Sequence, residues 1–99
     1  MVKEIKENEF KEAIKEGKVL VDCYADWCGP CRMLSPVVDE LSEELKDMKF
    51  YKLNIDDAEE VATEYGVMSI PNLLVFENGK LKNQLVGFRT KDELKKDLS

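Results

Sequence analysis

The most informative segment of the sequence reads Trp27-Cys28-Gly29-Pro30-Cys31. Two cysteines three residues apart on the first turn of a helix can meet as thiols or as a disulfide. The unpaired backbone N–H groups and the positive end of the helix dipole favour a thiolate there. Because the thiolate is the reactive form of cysteine, a Cys at this position is a nucleophile near neutral pH. Pro30 suits an early helical position, where its missing N–H costs nothing.

The same pair of cysteines would also be found in half of a zinc site or as two unrelated core residues. A zinc site of four cysteines needs a second pair, but the chain has three cysteines in all and no histidine. The lack of histidine also excludes Cys-His and Ser-His mechanisms. An odd cysteine count in a small chain does not fit a disulfide framework, so the pair is typical of a catalytic or metal-binding site.

Length and composition predict a single globular domain over residues 1–99, with one core. Apolar residues make up 43% and charged residues 36% of the chain, which argues against disorder. The net charge of −6 argues against nucleic acid or an anionic membrane as a partner and favours solubility. The N-terminal residues lack the apolar segment of a secretory signal, and no apolar run approaches the roughly 18 residues of a membrane span.

Hydrophobic periodicity and turn residues predict strands that alternate with helices after a short edge strand over Val2–Ile5. Pro36 lies inside the longest predicted helix and should kink it. Asn78-Gly79 predicts a two-residue turn between antiparallel strands. The two strands around the longest helix should be parallel with a right-handed crossover. The other predicted strands lie over 19–25, which is buried, and over 50–55, 73–77 and 81–86. The first two predicted helices run over 9–16, with Asn8 as N-cap, and from Cys28 to about Lys46. A short helix is opened by Asp57 and ended by Gly66, and a last helix to Leu98 is opened by a capping box at Thr90.

One charged side chain, Asp22, lies inside the apolar strand over 19–25. A buried aspartate is costly unless it has a partner or keeps its proton. Asp22 is therefore a candidate functional residue, and the alternative is a surface carboxylate at the end of the strand.

The order of elements, together with the cysteine motif, resembles the thioredoxin family over nearly the whole chain. The resemblance implies an α/β thioredoxin fold, in which a central mixed sheet of four to five strands carries helices on both faces. The residues that carry the resemblance are Val21-Asp22, Ala25, the segment 27–31, Pro36, Lys52-Leu53-Asn54-Ile55-Asp56, Ile70-Pro71, Phe76, Asn78-Gly79 and Gly87.

The resemblance also implies the layout of the site. Asp22 and Lys52 should lie side by side at the sheet centre, with the dithiol at the carboxyl end of a strand. The Ile70-Pro71 bond is implied to be cis and to pack against the dithiol, although only about one X–Pro bond in twenty is cis in folded proteins.

The sequence departs from the family at three places. Cys23 stands where an aromatic residue is usual, Asn72 where threonine is common, and Met68-Ser69 where members vary. Because Cys23 follows Asp22 in a strand, it should point to the opposite face of the sheet and serve as a core residue. The other departures lie by the expected binding groove and bear on target preference.

The family resemblance implies a cytoplasmic thiol–disulfide oxidoreductase that reduces protein disulfides without a cofactor or metal. Cys28, exposed at the helix tip, would attack the target disulfide, and Cys31, one turn deeper, would resolve the mixed disulfide. Asp22 would act as the base for Cys31 through a water, with Lys52 tuning its charge. A flat apolar rim would accept an extended target peptide. Its expected residues are Trp27, Gly29, Pro30, Met68, Ser69, Ile70, Pro71, Val86 and Gly87.

The implied partners are disulfide-containing target proteins and a thioredoxin reductase, either flavin-dependent or ferredoxin-dependent, and we expect a monomer. Two rival functions stay open. One is a disulfide-forming or isomerising relative, although such proteins usually carry histidine between the two cysteines. The other is a binding module that uses the rim without turnover.

Overall fold

A five-stranded mixed sheet forms the centre of the structure, a computed structural model that describes residues 1–99. The strands lie in the order β1-β3-β2-β4-β5, with helices on both faces, so the predicted thioredoxin-type α/β fold is confirmed. The strands are β1 (Val2–Ile5), β2 (Lys18–Tyr24), β3 (Met48–Asn54), β4 (Asn72–Glu77) and β5 (Lys80–Val86). The helices are α1 (Phe10–Ala13), α2 (Gly29–Glu44), α3 (Glu59–Glu64) and α4 (Lys91–Leu98), and short 3₁₀ turns span Glu7–Glu9 and Ile55–Asp57.

The strand pairing confirms the two predicted connections. β3 runs parallel to β2, as expected for strands joined through α2, and it also runs parallel to β1. β4 is antiparallel to β2 and forms a hairpin with β5. Asn78 and Gly79 turn the hairpin with φ angles of 52° and 85°, in the left-handed region that a two-residue hairpin turn of this kind requires. The result places β2, which carries Asp22, in the middle of the sheet.

Each face of the sheet carries its own core, because alternate residues of β2 point to opposite faces. The prediction of one core is therefore wrong, since the sheet divides the apolar interior in two. Val19, Val21 and Cys23 face α1 and α3 and belong to what we call the α1–α3 core. Leu20 faces α2 and α4 and belongs to the α2–α4 core. Cys23 is a free, fully buried cysteine on the face opposite Asp22, so its predicted place in the core is confirmed.

The apolar side chains of α2 and α4 close the second core. Leu34, Val38 and Leu41 form a buried stripe on α2, and each contributes roughly 1.5–3 kcal/mol through burial. The helix continues through Pro36 as predicted and ends at Glu44, two residues earlier than expected. The capping box at Thr90 is confirmed, because its side chain accepts from the Glu93 N–H and the Glu93 side chain accepts from the Thr90 N–H. No helix combines the length and the apolar character needed to cross a bilayer.

The predicted first helix over 9–16 is too long, and its predicted N-cap is wrong. A 3₁₀ turn over Glu7–Glu9 precedes a single turn of α-helix, whose N-cap is Glu9 rather than Asn8. The Glu9 carboxylate accepts the Lys6 N–H at 2.8 Å, so the chain begins to coil earlier. The helix then ends early because Gly17 is held by the β4–β5 turn, where its N–H donates to Asn78 Oδ1 at 2.9 Å.

The predicted cap of α3 is also wrong. Asp57 ends a 3₁₀ turn, and the N-cap position is held by Ala58, which has no side-chain acceptor. The acceptor comes from elsewhere in the chain, since Glu7 Oε2 accepts the Val61 N–H at 2.8 Å. The end of the helix is as predicted, with Gly66 in a left-handed conformation.

Candidate active site

The two cysteines of the motif lie at the N-terminus of α2, as predicted. Cys28 is the N-cap residue and Cys31 lies one turn inside the helix. They form a disulfide with a Cα–Cα distance of 5.3 Å. The Cys31 N–H donates to Cys28 Sγ at 3.2 Å. Because a helix N-cap acceptor satisfies an otherwise unpaired N–H, the same contact stabilises negative charge on Cys28 when the disulfide is reduced.

The expectation that Cys28 is exposed at the helix tip is wrong for this oxidised structure. Cys28 and Cys31 are each only 4% exposed. The disulfide turns the Cys28 sulfur inward, where it packs with Ala25 and Ile70. Cys28 Sγ lies 3.8 Å from the Ile70 carbonyl oxygen. The disulfide therefore presents little surface to solvent until a partner approaches it.

The loop before β4 covers the disulfide from the other side. The Ile70-Pro71 bond is cis, as the family resemblance implied, and Ile70 packs against the cysteines. The Pro71 carbonyl accepts the Gly87 N–H at 2.8 Å, which ties this loop to the end of β5. Asn72 is buried, and its amide donates to the Ser69 carbonyl at 3.4 Å. The Ile70 N–H makes no backbone hydrogen bond.

Asp22 and Lys52 are register partners on β2 and β3, as the resemblance implied. Asp22 is 5% exposed, and its Oδ1 has no hydrogen-bond partner. Burial raises the pKa of Asp22 to about 7, while the Lys52 charge lowers it and the Asp39 charge raises it. Lys52 forms no ion pair, and its Nζ lies 5.7 Å from the centre of the Tyr24 ring.

A cleft of about 200 Å³ connects the buried acid to one of the two cysteines. Cys31 lines it together with Asp22 and Lys52, whereas Cys28 does not. The volume is sufficient for ordered water, which needs about 30 Å³ per molecule and several polar partners. The remaining lining residues are Tyr24, Ala25, Asp26, Arg32 and Ser35.

Sequence reasoning missed several polar residues around Asp22 and its cleft. Asp39 and Ser35 approach Asp22 from α2, and Arg32 donates to the Asp26 carbonyl at 2.7 Å. Only the spacing of Cys31 and Ser35, four residues apart on one helix face, could have indicated a shared environment. A larger groove of about 550 Å³ lies between the Glu7–Glu9 turn and α3 and contains neither cysteine. No cluster of three or more metal-binding side chains occurs.

The predicted rim residues differ in how much of them reaches solvent. Trp27 is 69% exposed and Met68 95% exposed, and the Trp27 indole N–H donates to Asp56 Oδ2 at 2.9 Å. Pro71 is buried, so it adds little surface of its own to the predicted rim. Phe88 is exposed next to Gly87 and was missed. Pro30, Ser69 and Val86 are exposed, and Gly29, Ile70 and Gly87 are half-buried.

Comparison with known proteins identifies the family. The family model described as thioredoxin matches residues 1–99. This chain belongs to the thioredoxin family. A thioredoxin of Rickettsia felis is 42% identical over 97 residues, covering 95% of this chain and 92% of that protein. A thioredoxin of Listeria monocytogenes is 44% identical over 95 residues, with the same coverage. A thioredoxin of Chlamydia muridarum is 43% identical over 99 residues, covering all of this chain and 97% of that protein.

Family membership and the paired cysteines together establish the activity. The chain is a thiol–disulfide oxidoreductase that reduces protein disulfides, and its Cys28-Cys31 pair cycles between dithiol and disulfide. As a member of the thioredoxin family, it has a thioredoxin reductase and disulfide-containing proteins as its partners.

Proposed function

We propose that Cys28 attacks the target disulfide and that Cys31 resolves the mixed disulfide. The observation that carries this assignment is the asymmetry of the two sulfurs. Cys28 Sγ accepts the Cys31 N–H at the tip of α2, which favours a thiolate nucleophile. Cys31 lines the cleft that contains Asp22, and Cys28 does not. A base in that cleft therefore serves Cys31 alone.

The exchange then proceeds in two displacements. The Cys28 thiolate attacks one sulfur of the target, and the other target sulfur leaves as a thiolate. The Cys31 thiolate next attacks Cys28 Sγ, which forms the Cys28–Cys31 disulfide and releases the second target sulfur. Two electrons have moved to the target, and the reductase returns two electrons to the protein.

Asp22 is the base that takes the Cys31 proton, through a water in the cleft. Burial raises its pKa, the Lys52 charge lowers it and the Asp39 charge raises it, with a result of about 7. A base is most effective when its pKa lies near the working pH. Lys52 tunes this value by favouring the ionised carboxylate.

An extended segment of the target protein binds at the rim, with main-chain hydrogen bonds to the loop before β4. The free Ile70 N–H and the exposed apolar side chains of Trp27, Met68 and Val86 support this mode. Gly29, Pro30, Ser69 and Gly87 leave the approach open because their side chains are small or compact. The cis Pro71 shapes the loop.

The protein acts as a monomer and as one domain over residues 1–99, in the cytoplasm, without a cofactor or metal of its own. Electrons come from a thioredoxin reductase of the flavin-dependent or the ferredoxin-dependent class. A reduction assay with each class of reductase, measured on the purified protein, identifies the donor.

Trapping tests the roles of the two cysteines. Cys31→Ser and Cys28→Ser variants are each mixed with insulin whose disulfides are intact. The mixtures are quenched with acid and alkylated, and the proteins are then separated by gel electrophoresis without reductant. Cys31→Ser should accumulate a covalent complex, because attack occurs without resolution. Cys28→Ser should give none, and both should lack turnover. The reverse result, with a complex only in Cys28→Ser, would show that the roles are exchanged.

A further inference from the structure

Three side chains form one row across the sheet on the face that packs against α2. Glu4 of β1 and Asp22 of β2 are both register partners of Lys52 on β3, and such partners share a face of the sheet. Glu4 is exposed near the edge, and Asp22 is buried at the centre. Lys52 therefore stands between two carboxyl groups and forms an ion pair with neither.

Tyr24 contacts Lys52 and Glu4, the two residues of this row that lie nearer the edge of the sheet. The Lys52 ammonium lies 5.7 Å from its ring centre, within the range of a cation–π interaction. The Tyr24 hydroxyl donates to Glu4 Oε2. Burial, followed by this hydrogen bond, raises the pKa of the Tyr24 phenol, so it remains a donor through the neutral range. Tyr24 thus engages Oε2 of the carboxylate that lies on the edge side of Lys52.

We propose that Tyr24 and Glu4 are a positioning pair for Lys52. The phenol engages Glu4 and the ring holds the ammonium, so Lys52 stays on the Asp22 side instead of pairing with Glu4. The consequence for turnover rests on the function proposed above for Asp22, whereas the placement of Lys52 stands on the contacts alone. The other groups that face Asp22 come from α2 and the loop before it: Asp26, Cys31, Arg32, Ser35 and Asp39.

Two substitutions should move the titration of Asp22 differently. In Tyr24→Phe the ring remains but Glu4 is released and draws Lys52 away from Asp22. The midpoint of Asp22 should then rise by about half a pH unit, a roughly three-fold change in its ionisation constant, as expected when one charge interaction weakens at an effective dielectric near 20. Glu4→Gln removes the competing carboxylate, so the midpoint should stay or fall slightly. The double variant should return to the wild-type midpoint.

The experiment is a carbon-13 NMR titration of the labelled Asp22 carboxyl between pH 4 and 10, on the oxidised protein. Wild type, Tyr24→Phe, Glu4→Gln and the double variant are compared. A Lys52→Met background is the control, since Tyr24→Phe should have no further effect once the ammonium is gone. Turnover is the second readout. For Tyr24→Phe it should be about two-fold lower at pH 7, where the ionised fraction falls, and equal to wild type at pH 9.

The two readouts separate the two proposals. Midpoints that shift as described, with turnover unchanged at both pH values, would support the positioning pair and contradict Asp22 as the base. An unchanged or lower midpoint in Tyr24→Phe would overturn the positioning pair. The positioning pair would also be overturned if the rise in the Asp22 midpoint were not reversed by adding Glu4→Gln, or if it persisted in the Lys52→Met background. If Asp22→Asn still slowed resolution in those cases, the proposed function would stand without the pair.

Discussion

Replacing Asp22 by asparagine should stabilise the protein at alkaline pH, because the change removes a buried carboxylate. Burial raises the pKa of Asp22 from its ordinary value of 3.8 to about 7. The folded protein therefore holds this proton more tightly than the unfolded chain does. Well below pH 3.8 both states are protonated and the acid costs nothing. The penalty grows as pH rises to about 7 and is constant above that.

The size of the effect follows from the two pKa values. Each pH unit of difference corresponds to about 1.4 kcal/mol, so the full penalty is roughly 4 kcal/mol above pH 7 and roughly 1.6 kcal/mol at pH 5. The new amide costs about 1–3 kcal/mol if it stays unpaired, but this cost does not depend on pH. The stability gained by Asp22→Asn should therefore be about 2–3 kcal/mol larger at pH 8.5 than at pH 5.

Urea unfolding of the oxidised protein, followed by far-UV circular dichroism at both pH values, measures this difference. The oxidised form is used because neither cysteine of the disulfide titrates, and burial raises the pKa of Cys23 to about 12, beyond this range. Asp26→Asn is the matched control, because its exposed carboxylate lines the same cleft. Its effect should stay within about 0.5 kcal/mol at both pH values. The reasoning fails if the Asp22→Asn gain is equal at the two pH values or larger at pH 5.

Three further predictions concern positions around the site and the fold. Cys23→Val should cost less than about 1.5 kcal/mol, because it keeps an apolar side chain of similar volume; insulin reduction at the wild-type rate checks that Cys23 is a spectator. Pro30→His should make the protein a stronger oxidant, since a positive charge near Cys28 stabilises its thiolate. The shift should be less than about 150 mV, the span between typical reducing and strongly oxidising relatives, and a redox-buffer titration showing a more reducing protein would contradict it. Glu7→Ala should cost about 1 kcal/mol by removing the acceptor of the Val61 N–H, and an unchanged urea midpoint would show that this N–H finds water instead.

Most strands, the parallel pair β2 and β3 and the β4–β5 hairpin could be predicted from the sequence, because their signals are local, whereas the pairings of β1 with β3 and of β2 with β4 could not. The apolar run that contains Asp22 and the Asn78-Gly79 turn each specify one conformation within a few residues. The N-caps of α1 and α3 could not be predicted. Glu7 caps α3 through the Val61 N–H, 54 residues away, and a propensity rule that examines the nearest side chain selects Asp57 instead.

The same division holds for the site. The motif predicts Cys28 and Cys31, and a single charge in an apolar strand predicts Asp22. Lys52 is predicted by the family resemblance. Asp39 could not be predicted, because only the packing of α2 on the sheet brings it near Asp22. The exposure of Cys28 was predicted wrongly, since helix position alone does not show that the loop at Ile70 covers the oxidised sulfur.

The separation of the two cores by the sheet has an evolutionary consequence. Asp22 shares its face with the α2–α4 core, while Cys23 lies on the other side among the residues of the α1–α3 core. Sites without shared partners contribute independently to stability. Substitutions in the α1–α3 core that keep volume and apolarity should therefore leave the chemistry on the other face of the sheet in place.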